Sequence, residues 1–283
     1  MVDIKGDGLG TELTINGRGV ELGRPIDISI PLKFNGPQPN AFGVPRAVSE
    51  PCQAGDLVGD TRRGGSCNFE QYTFIPHCSG THTECVGHIT HQRISISECL
   101  RDVIVPALLV SVSVADADGV GESYVVPFGD GDRVITRELL AGAFRPPAEL
   151  AGRDAGPPVA LIVRTLPNHD SKLTRAYGEE PLPPYFTTEA MEYIVESGFN
   201  HLLVDVPSID RMSDEGKLAN HRKFWNIDLG SFETKQGTRV GSTITEFIFV
   251  PSSVSDGEYA LNLQIASFAA DASPSRPLLF RYL

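Results

Sequence analysis

Residues 77–91 read HCSGTHTECVGHITH and hold four of the chain's seven histidines, together with two cysteines and a glutamate. Imidazole, thiolate and carboxylate groups are the side chains that bind zinc and related divalent cations, and imidazoles also carry protons. The alternative is a chance cluster of histidines whose ring nitrogens are satisfied by backbone carbonyls in the core. The density of such groups in one short segment favours a metal site.

The spacing within this segment favours a shared site. Cys78, His82, Glu84 and His88 are separated by even numbers of residues. Even spacing on an extended strand puts side chains on one face, so His82 and Glu84 are predicted to point the same way. Two glycines in the segment permit turns that bring the other two ligands towards them. The pattern differs from a zinc finger, which needs two ligand pairs about a dozen residues apart.

Residues of the segment at odd-numbered positions would point to the opposite face of such a strand, and they have other predicted roles. We expect His77 to point away from the ligands, His91 to lie at the surface or behind the ligands, and Cys85 to be a packed thiol. The soft Cys78 thiolate beside imidazoles predicts zinc as the metal, with manganese as the second choice.

The elements that must position these residues are mainly strands. Runs rich in β-branched residues at 101–114, 158–165 and 200–206 predict buried strands. Residues 187–198 predict the clearest helix, with a threonine as its N-cap and a glycine at its end. Because strands outnumber helices, the sequence predicts one α/β or α+β domain around a mostly β core.

Composition narrows the classes of partner. The chain has 283 residues and a formal net charge of −12. An acidic surface repels phosphate backbones and anionic lipids, which argues against nucleic acid and membrane partners. No apolar run approaches the roughly 18 residues that a membrane span needs, and the first residues lack the pattern of a signal peptide. We therefore expect a cytoplasmic protein.

The histidine-rich segment resembles the signature of the cyclase-like metal-dependent amidohydrolases, a family that includes bacterial kynurenine formamidases and isatin hydrolase. That signature reads H-x-G-T-H-x-D-x-P-x-H, and the chain matches it at Gly80, Thr81, His82 and His88. Residues 27–32 (DISIPL) resemble the opening strand of the family.

Three positions depart from the signature. Cys78 replaces its first histidine, Glu84 replaces its aspartate, and Val86 replaces its proline. Cysteine remains a metal ligand but a softer one, and glutamate is a carboxylate with a longer reach. The departures leave open whether the site binds one metal ion or two.

The resemblance continues towards the C-terminus and implies further site residues. Residues 214–225 (DEGKLANHRKFW) resemble the segment that carries the catalytic histidine of the family, which falls on His221. The late metal-binding glutamate falls on Glu246 in TITEFIFVP, and Glu233 is the competing candidate. We prefer Glu246 because it lies in a predicted strand.

Residues 205–210 (DVPSID) resemble the D-x-P-S-x-D segment of the family. Its two aspartates either form a turn with their own backbone, which is the favoured interpretation, or support the site from behind. Ser208 is predicted to bind the substrate. Phe224 and Trp225 are predicted to form the wall of the substrate pocket, with packing in the core as an equal alternative.

The resemblance implies a swivelling β/β/α fold, a single α/β domain with a mostly β core and few peripheral helices. That domain is predicted to span residues 24–283, after an extension at residues 1–23. The implied oligomer is a homodimer.

The implied function is hydrolysis of a small amide or formamide by metal-activated water. Aryl formamides such as N-formylkynurenine, a compound of tryptophan catabolism, are the type substrate of an arylformamidase. His221 would carry protons, and its neighbours in sequence predict that its imidazole is neutral near pH 7. The alternatives are hydrolysis or formation of a cyclic amide or lactone on the same site, and a relative that binds a small ligand without metal.

Overall fold

The structure of the protein is a computed structural model that describes residues 2–6, 11–146, 159–178 and 181–283. Its strands are Val2–Gly6 (β1), Thr11–Ile15 (β2), Arg18–Val20 (β3), Ile26–Asp27 (β4), Val48–Pro51 (β5), Gln53–Ala54 (β6), Leu57–Val58 (β7), Glu70–Thr73 (β8), His82–Glu84 (β9), Ile104–Ser113 (β10), Ala115–Asp116 (β11), Arg133–Ile135 (β12), Ala160–Leu166 (β13), Tyr185–Phe186 (β14), His201–Val204 (β15), Thr243–Glu246 (β16), Gly257–Asn262 (β17), Ala272–Pro274 (β18) and Leu278–Phe280 (β19). The α-helices are Pro76–Ser79 (α1), Ile96–Cys99 (α2), Arg137–Ala143 (α3), Thr188–Glu196 (α4) and Ala219–Trp225 (α5). Short 3₁₀ helices lie at Thr61–Arg63, Val86–Ile89 and Asp170–Leu173.

One nine-stranded sheet organises the molecule, in the order β18-β9-β16-β15-β13-β10-β17-β19-β4. Its four central strands β10, β13, β15 and β16 are parallel, and antiparallel strands flank them on both sides. Central parallel strands are covered on both faces, which explains why the β-branched runs of the sequence are nearly continuous. The predicted buried strands at 101–114 and 200–206 are confirmed, and so is the predicted strand at 158–165 apart from residue 158, which lies outside the described residues.

The helices α3, α4 and α5 cover one face of this sheet. The side chain of Thr187 accepts a hydrogen bond from the backbone of Ala190 and so caps α4, as the sequence predicts. Met191 and Ile194 are fully buried and pack with α5 and the central strands in the largest core cluster. The predicted class, a single α/β domain with a mostly β core and few helices, is confirmed.

The sheet curls so that its two ends approach each other. Ser29, just after β4 at one end, forms an isolated bridge with Ile248, which follows β16 near the other end. The backbone amide of Ile30 donates to the hydroxyl of Thr81, which itself donates to the carbonyl of Phe247. These contacts join the opening strand to the turn that precedes β9, and they hold the histidine-rich segment against the curled sheet.

The strands of the predicted N-terminal extension form a small sheet of their own, β1-β2-β3. Val20 bridges to Tyr282 and so attaches this sheet to the C-terminal end of the chain. Residues 1 and 7–10 of the extension lie outside the described residues, and the domain boundary at residue 23 stays a prediction. Among the residues that are described, every helix is too short or too polar to cross a membrane.

Candidate metal centre

Strand β9 places two of the predicted ligands side by side. His82 and Glu84 are its first and last residues, so both side chains leave the same face, as their spacing predicts. Strand β16 pairs with β9 in antiparallel register, and Glu246 is the direct partner of His82. Directly paired residues project from the same face of a sheet, so the Glu246 carboxylate joins the other two side chains.

These three side chains form the first candidate group of metal ligands. One ligand atom from each of His82, Glu84 and Glu246 lies within 4.8 Å of the other two. The exposed fractions of these residues are 0%, 1% and 4%. His82 Nδ1 lies 3.0 Å from the carbonyl oxygen of Gly80, and this hydrogen bond fixes the ring so that Nε2 faces the group, 3.6 Å from Glu246 Oε2.

A second candidate group shares Glu84 with the first. It consists of His77, Glu84 and His88, whose ligand atoms also lie within 4.8 Å of one another. Glu84 Oε2 is 3.5 Å from His77 Nε2 and 3.8 Å from His88 Nε2. The two imidazole rings stack with their centroids 4.4 Å apart. Both rings are about a quarter exposed, so the centre opens to solvent on this side.

Asp271, at the residue before β18, supports the second group. Its Oδ2 lies 3.4 Å from His88 Nδ1 and 3.1 Å from His77 Nε2. Asp271 contacts His88 through Nδ1, the ring nitrogen opposite to the one that faces Glu84, and a carboxylate in that position orients a ligating ring and increases its basicity. The close contact with His77 and the hydrogen bond with His88 lower the pKa of Asp271 below its usual range, against the effect of burial, so this carboxylate is ionised. Asp271 is a residue that sequence reasoning missed.

His221 stands beside both groups on helix α5. Its Nε2 is 2.9 Å from Glu84 Oε1 and 3.7 Å from Glu246 Oε1, while its Nδ1 is 2.6 Å from Asp210 Oδ2. An ionised carboxylate only accepts hydrogen bonds, so Nδ1 carries the proton and Nε2 faces the candidate ligands. The structure therefore brings the predicted proton carrier to the centre, next to the carboxylate that both groups share.

The hydrogen-bond inventory supports the fit of a cation. Buried polar atoms of native proteins have partners as a rule, and each exception requires an explanation. Four buried atoms of this centre have no hydrogen-bond partner among the described residues: His77 Nε2, His82 Nε2, Glu84 Oε1 and His221 Nε2. The short distances from His77 to Asp271 and from His221 to Glu84 lack hydrogen-bond geometry.

The buried carboxylates of the centre also favour a bound cation. Burial and the nearby Glu84 charge raise the pKa of Glu246 well above its usual range, although the hydrogen bond from the Ile209 amide opposes them. Two buried carboxylates that repel each other are stabilised by a cation between them. Imidazole nitrogens and carboxylate oxygens are donors that zinc and manganese accept, so the residues present fit a divalent metal.

The structure contradicts the predicted orientation of His77. The prediction assumed an extended chain, in which odd-phase residues point away from His82. Residues 76–79 instead form the helical turn α1, where the period is not two, and the His77 ring turns towards Glu84. Pro76 at the first helical position was the available signal, since proline is favoured there.

Cys78, predicted to be a ligand, joins neither group of the described residues. It is buried near Glu246, and burial together with that charge raises the pKa of its thiol to about 11. The predictions that Cys85 is a packed thiol and that His91 lies at the surface are confirmed. Cys85 is fully buried in a small apolar cluster, and His91 is exposed with its ring stacked on Phe232.

The structure distinguishes between the two candidates for the late metal-binding glutamate. Glu233 lies in an exposed loop, whereas Glu246 lies in β16 within the first group. Asp210 bonds His221 and so supports the site, which was the less favoured interpretation of residues 205–210. Asp205 fits neither interpretation, because it accepts hydrogen bonds from the distant residues Thr165 and Lys172.

The predicted substrate contacts lie below the surface. Phe224 and Trp225 are fully buried in the main core cluster, and the Trp225 indole donates to the Ser242 carbonyl. This favours core packing, the alternative that the sequence left open. Ser208 is 6% exposed, and its hydroxyl accepts the backbone amide of Asp210. A substrate role for these three side chains stays a prediction.

The carboxylates around His221 contradict the predicted neutrality of its imidazole. Burial disfavours the charged imidazole, but the nearby Glu84 charge and the hydrogen bond to Asp210 outweigh it and raise the pKa of His221 well above 6.5. The prediction considered neighbours in sequence, whereas the groups that face the ring in space are carboxylates. A cation bound by Glu84 would weaken this attraction.

We expect Gly87→Ala to destabilise the protein by about 1–3 kcal/mol, the usual cost of overpacking. A Cβ at Gly87 would overlap with the backbone carbonyl oxygen of Ile94, so the 3₁₀ turn that carries His88 must shift. Urea unfolding measures the loss. The matched control is Gly142→Ala in α3, where a Cβ meets no atom within 4 Å. A Gly87→Ala protein as stable as wild type would show that the turn adapts freely.

Comparison with known proteins identifies the family. The profile of the family described as Putative cyclase matches residues 26–211. The protein therefore belongs to the putative cyclase family. A search of curated proteins found no match.

Solved structures share the fold at low identity. A predicted metal-dependent hydrolase from Bacillus stearothermophilus is 16% identical, with a TM-score of 0.55 over 91% of this chain and 98% of that chain. Isatin hydrolase A from Labrenzia aggregata, bound to benzyl benzoate, is 15% identical, with a TM-score of 0.57 over 91% and 93% of the two chains. Isatin hydrolase A from Ralstonia solanacearum is 15% identical, with a TM-score of 0.53 over 91% of each chain.

Proposed function

We propose that the protein is a metal-dependent hydrolase that cleaves the C–N bond of a small amide or formamide. The observation that carries the proposal is the position of His221, whose free Nε2 faces the shared ligand Glu84 while Asp210 holds its Nδ1. A proton carrier beside a set of metal ligands is the arrangement that hydrolysis by metal-activated water requires.

His82, Glu84 and Glu246 would hold one cation, and His77 and His88 would hold a second one that shares Glu84. When bound, the metal lowers the pKa of water towards neutrality and polarises the substrate carbonyl. Asp210 orients His221 through Nδ1 throughout the reaction. His221 accepts a proton at Nε2 from the attacking water and returns it to the leaving nitrogen.

Burial of the first group contributes to this chemistry. His82, Glu84 and Glu246 are almost completely shielded, so charges there interact more strongly than they would in water. The exposed side of the centre, at His77 and His88, is where a small substrate can approach.

We propose zinc as the metal, with manganese as the second choice. Because Cys78 lies outside both groups, the preference rests on the imidazole nitrogens, while the carboxylates also suit manganese. Elemental analysis of protein grown without added metal tests this choice, and manganese as the sole stoichiometric metal would refute it.

Hydrolysis of a cyclic amide is the second candidate reaction. The specific observation in its favour is the shared fold with two solved isatin hydrolases. The ligand set and His221 would serve both reactions in the same way. An arylformamidase acting in tryptophan catabolism remains our first proposal, on the resemblance of the motif.

A substrate panel tests the proposal. Metal-replete protein is assayed with aryl formamides, cyclic amides and lactones, and chelator-treated protein serves as the control. We expect hydrolysis of a formamide that is lost with chelator and restored by added metal. A protein that carries no stoichiometric transition metal and hydrolyses none of these compounds would be a binding protein without metal.

We also propose that the protein forms a homodimer. Sedimentation of a single species of about 31 kDa, the mass of one chain, at micromolar concentration would refute this proposal.

A further inference from the structure

A tyrosine distant in sequence holds the carboxylate that orients His221. Tyr124 lies between β11 and β12, and its hydroxyl donates to Asp210 Oδ1 over 2.6 Å. Hydrogen bonds to ionised carboxylates at this distance are among the strong ones in proteins. Tyr124 bonds Oδ1 of Asp210, whereas the His221 imidazole bonds Oδ2.

Each carboxylate oxygen of Asp210 accepts two hydrogen bonds. Oδ1 accepts the Tyr124 hydroxyl and the backbone amide of Asn220, at 2.6 and 2.8 Å. Oδ2 accepts the backbone amide and the Nδ1–H of His221, at 3.1 and 2.6 Å. With all four positions filled, the carboxylate has one orientation, and that orientation directs Oδ2 at the imidazole.

The Tyr124 ring is itself fixed by its surroundings. It packs edge-on against Tyr185 with the ring centroids 4.9 Å apart, and the Tyr185 hydroxyl donates to Asp132. The Tyr124 oxygen accepts the backbone amide of Arg211 at 3.3 Å, and Asp214 Oδ2 is more distant, at 3.4 Å. Because the contact with Asp210 is the shorter one, Tyr124 donates its single hydroxyl proton to Asp210. Burial and the charge of Asp210 raise the pKa of Tyr124, which keeps that proton in place.

We propose that Tyr124 is a positioning residue, which fixes Asp210 and through it the tautomer and direction of the His221 imidazole. The inference rests on the proposed role of His221 as the proton carrier. Without the Tyr124 hydroxyl, Asp210 Oδ1 keeps one partner, and the carboxylate gains freedom to rotate away from Nδ1.

The test removes one oxygen atom by Tyr124→Phe in the zinc-loaded protein. We expect kcat to fall roughly 10- to 100-fold, the effect of losing one hydrogen bond to a charged group, with KM and bound metal unchanged. Because the Nδ1–H of His221 forms a short bond to a carboxylate, we expect its proton to have a far-downfield NMR signal. We expect that signal to move upfield and broaden in the variant.

The matched control is Tyr185→Phe, which removes a neighbouring buried hydroxyl that bonds Asp132 instead of Asp210. It should leave the downfield signal and kcat unchanged. The proposal is overturned if Tyr124→Phe keeps the wild-type signal and kcat, or if both variants lose activity equally together with metal. The NMR signal needs no substrate, so a wild-type protein that hydrolyses no amide would refute the proposed function and leave this test intact.

Discussion

His82→Ala is expected to lose bound metal and hydrolytic activity together. His82 provides the single imidazole of the first ligand group, and its Nε2 is buried without a hydrogen-bond partner among the described residues. Removing it leaves two carboxylates that repel each other and cannot by themselves satisfy a cation that prefers nitrogen donors. We expect metal content after dialysis to fall by at least one ion per chain, and activity to fall to that of chelator-treated wild type.

The matched control for this variant is His91→Ala in the same segment. His91 is exposed and its ring stacks on Phe232, so its removal should leave both metal content and activity at wild-type values. Elemental analysis and the amide assay measure the two quantities on the same samples. If His82→Ala kept its metal and lost only stability, His82 would be a core histidine and the first ligand group would be wrong.

Local periodicity explains which parts of the site the sequence could predict. His82 and Glu84 share a face because β9 is a strand, and this needs only residues within the segment. The same argument fails for His77, three residues before Gly80, because the chain there turns into α1. Alternation along a strand holds no information on where the strand begins.

Contacts between distant segments could not be predicted from periodicity. Glu246 faces His82 through the register of β16 on β9, and Asp271 reaches His88 because β18 pairs with the other edge of β9. The family resemblance pointed to Glu246, since its motif carries that long-range information. Asp271 and Tyr124 had no motif, and their neighbours in sequence give no sign of the carboxylate or imidazole that they contact in space.

The fold was more predictable than the site for a related reason. The buried strands β10, β13 and β15 are marked by long apolar runs, and many residues contribute to each run. A single misread residue does not change the class of the fold. A site depends on a few atoms, so one turn that is misjudged, as at His77, changes which side chains come together.

His221→Ala is expected to retain bound metal while kcat falls by roughly 10²–10⁴, the usual contribution of a positioned proton carrier. His221 belongs to neither ligand group, and its Nε2 is the ring nitrogen that faces Glu84 while Nδ1 is held by Asp210. Its removal therefore takes away proton transfer and leaves His82, Glu84 and Glu246 in place. His221→Gln serves as the second variant, because its amide preserves a polar side chain that cannot carry a proton. Single-turnover rates and metal content are measured on both. Loss of metal from both variants would show that His221 is a ligand. Full activity in either variant would show that another group at the centre carries the proton.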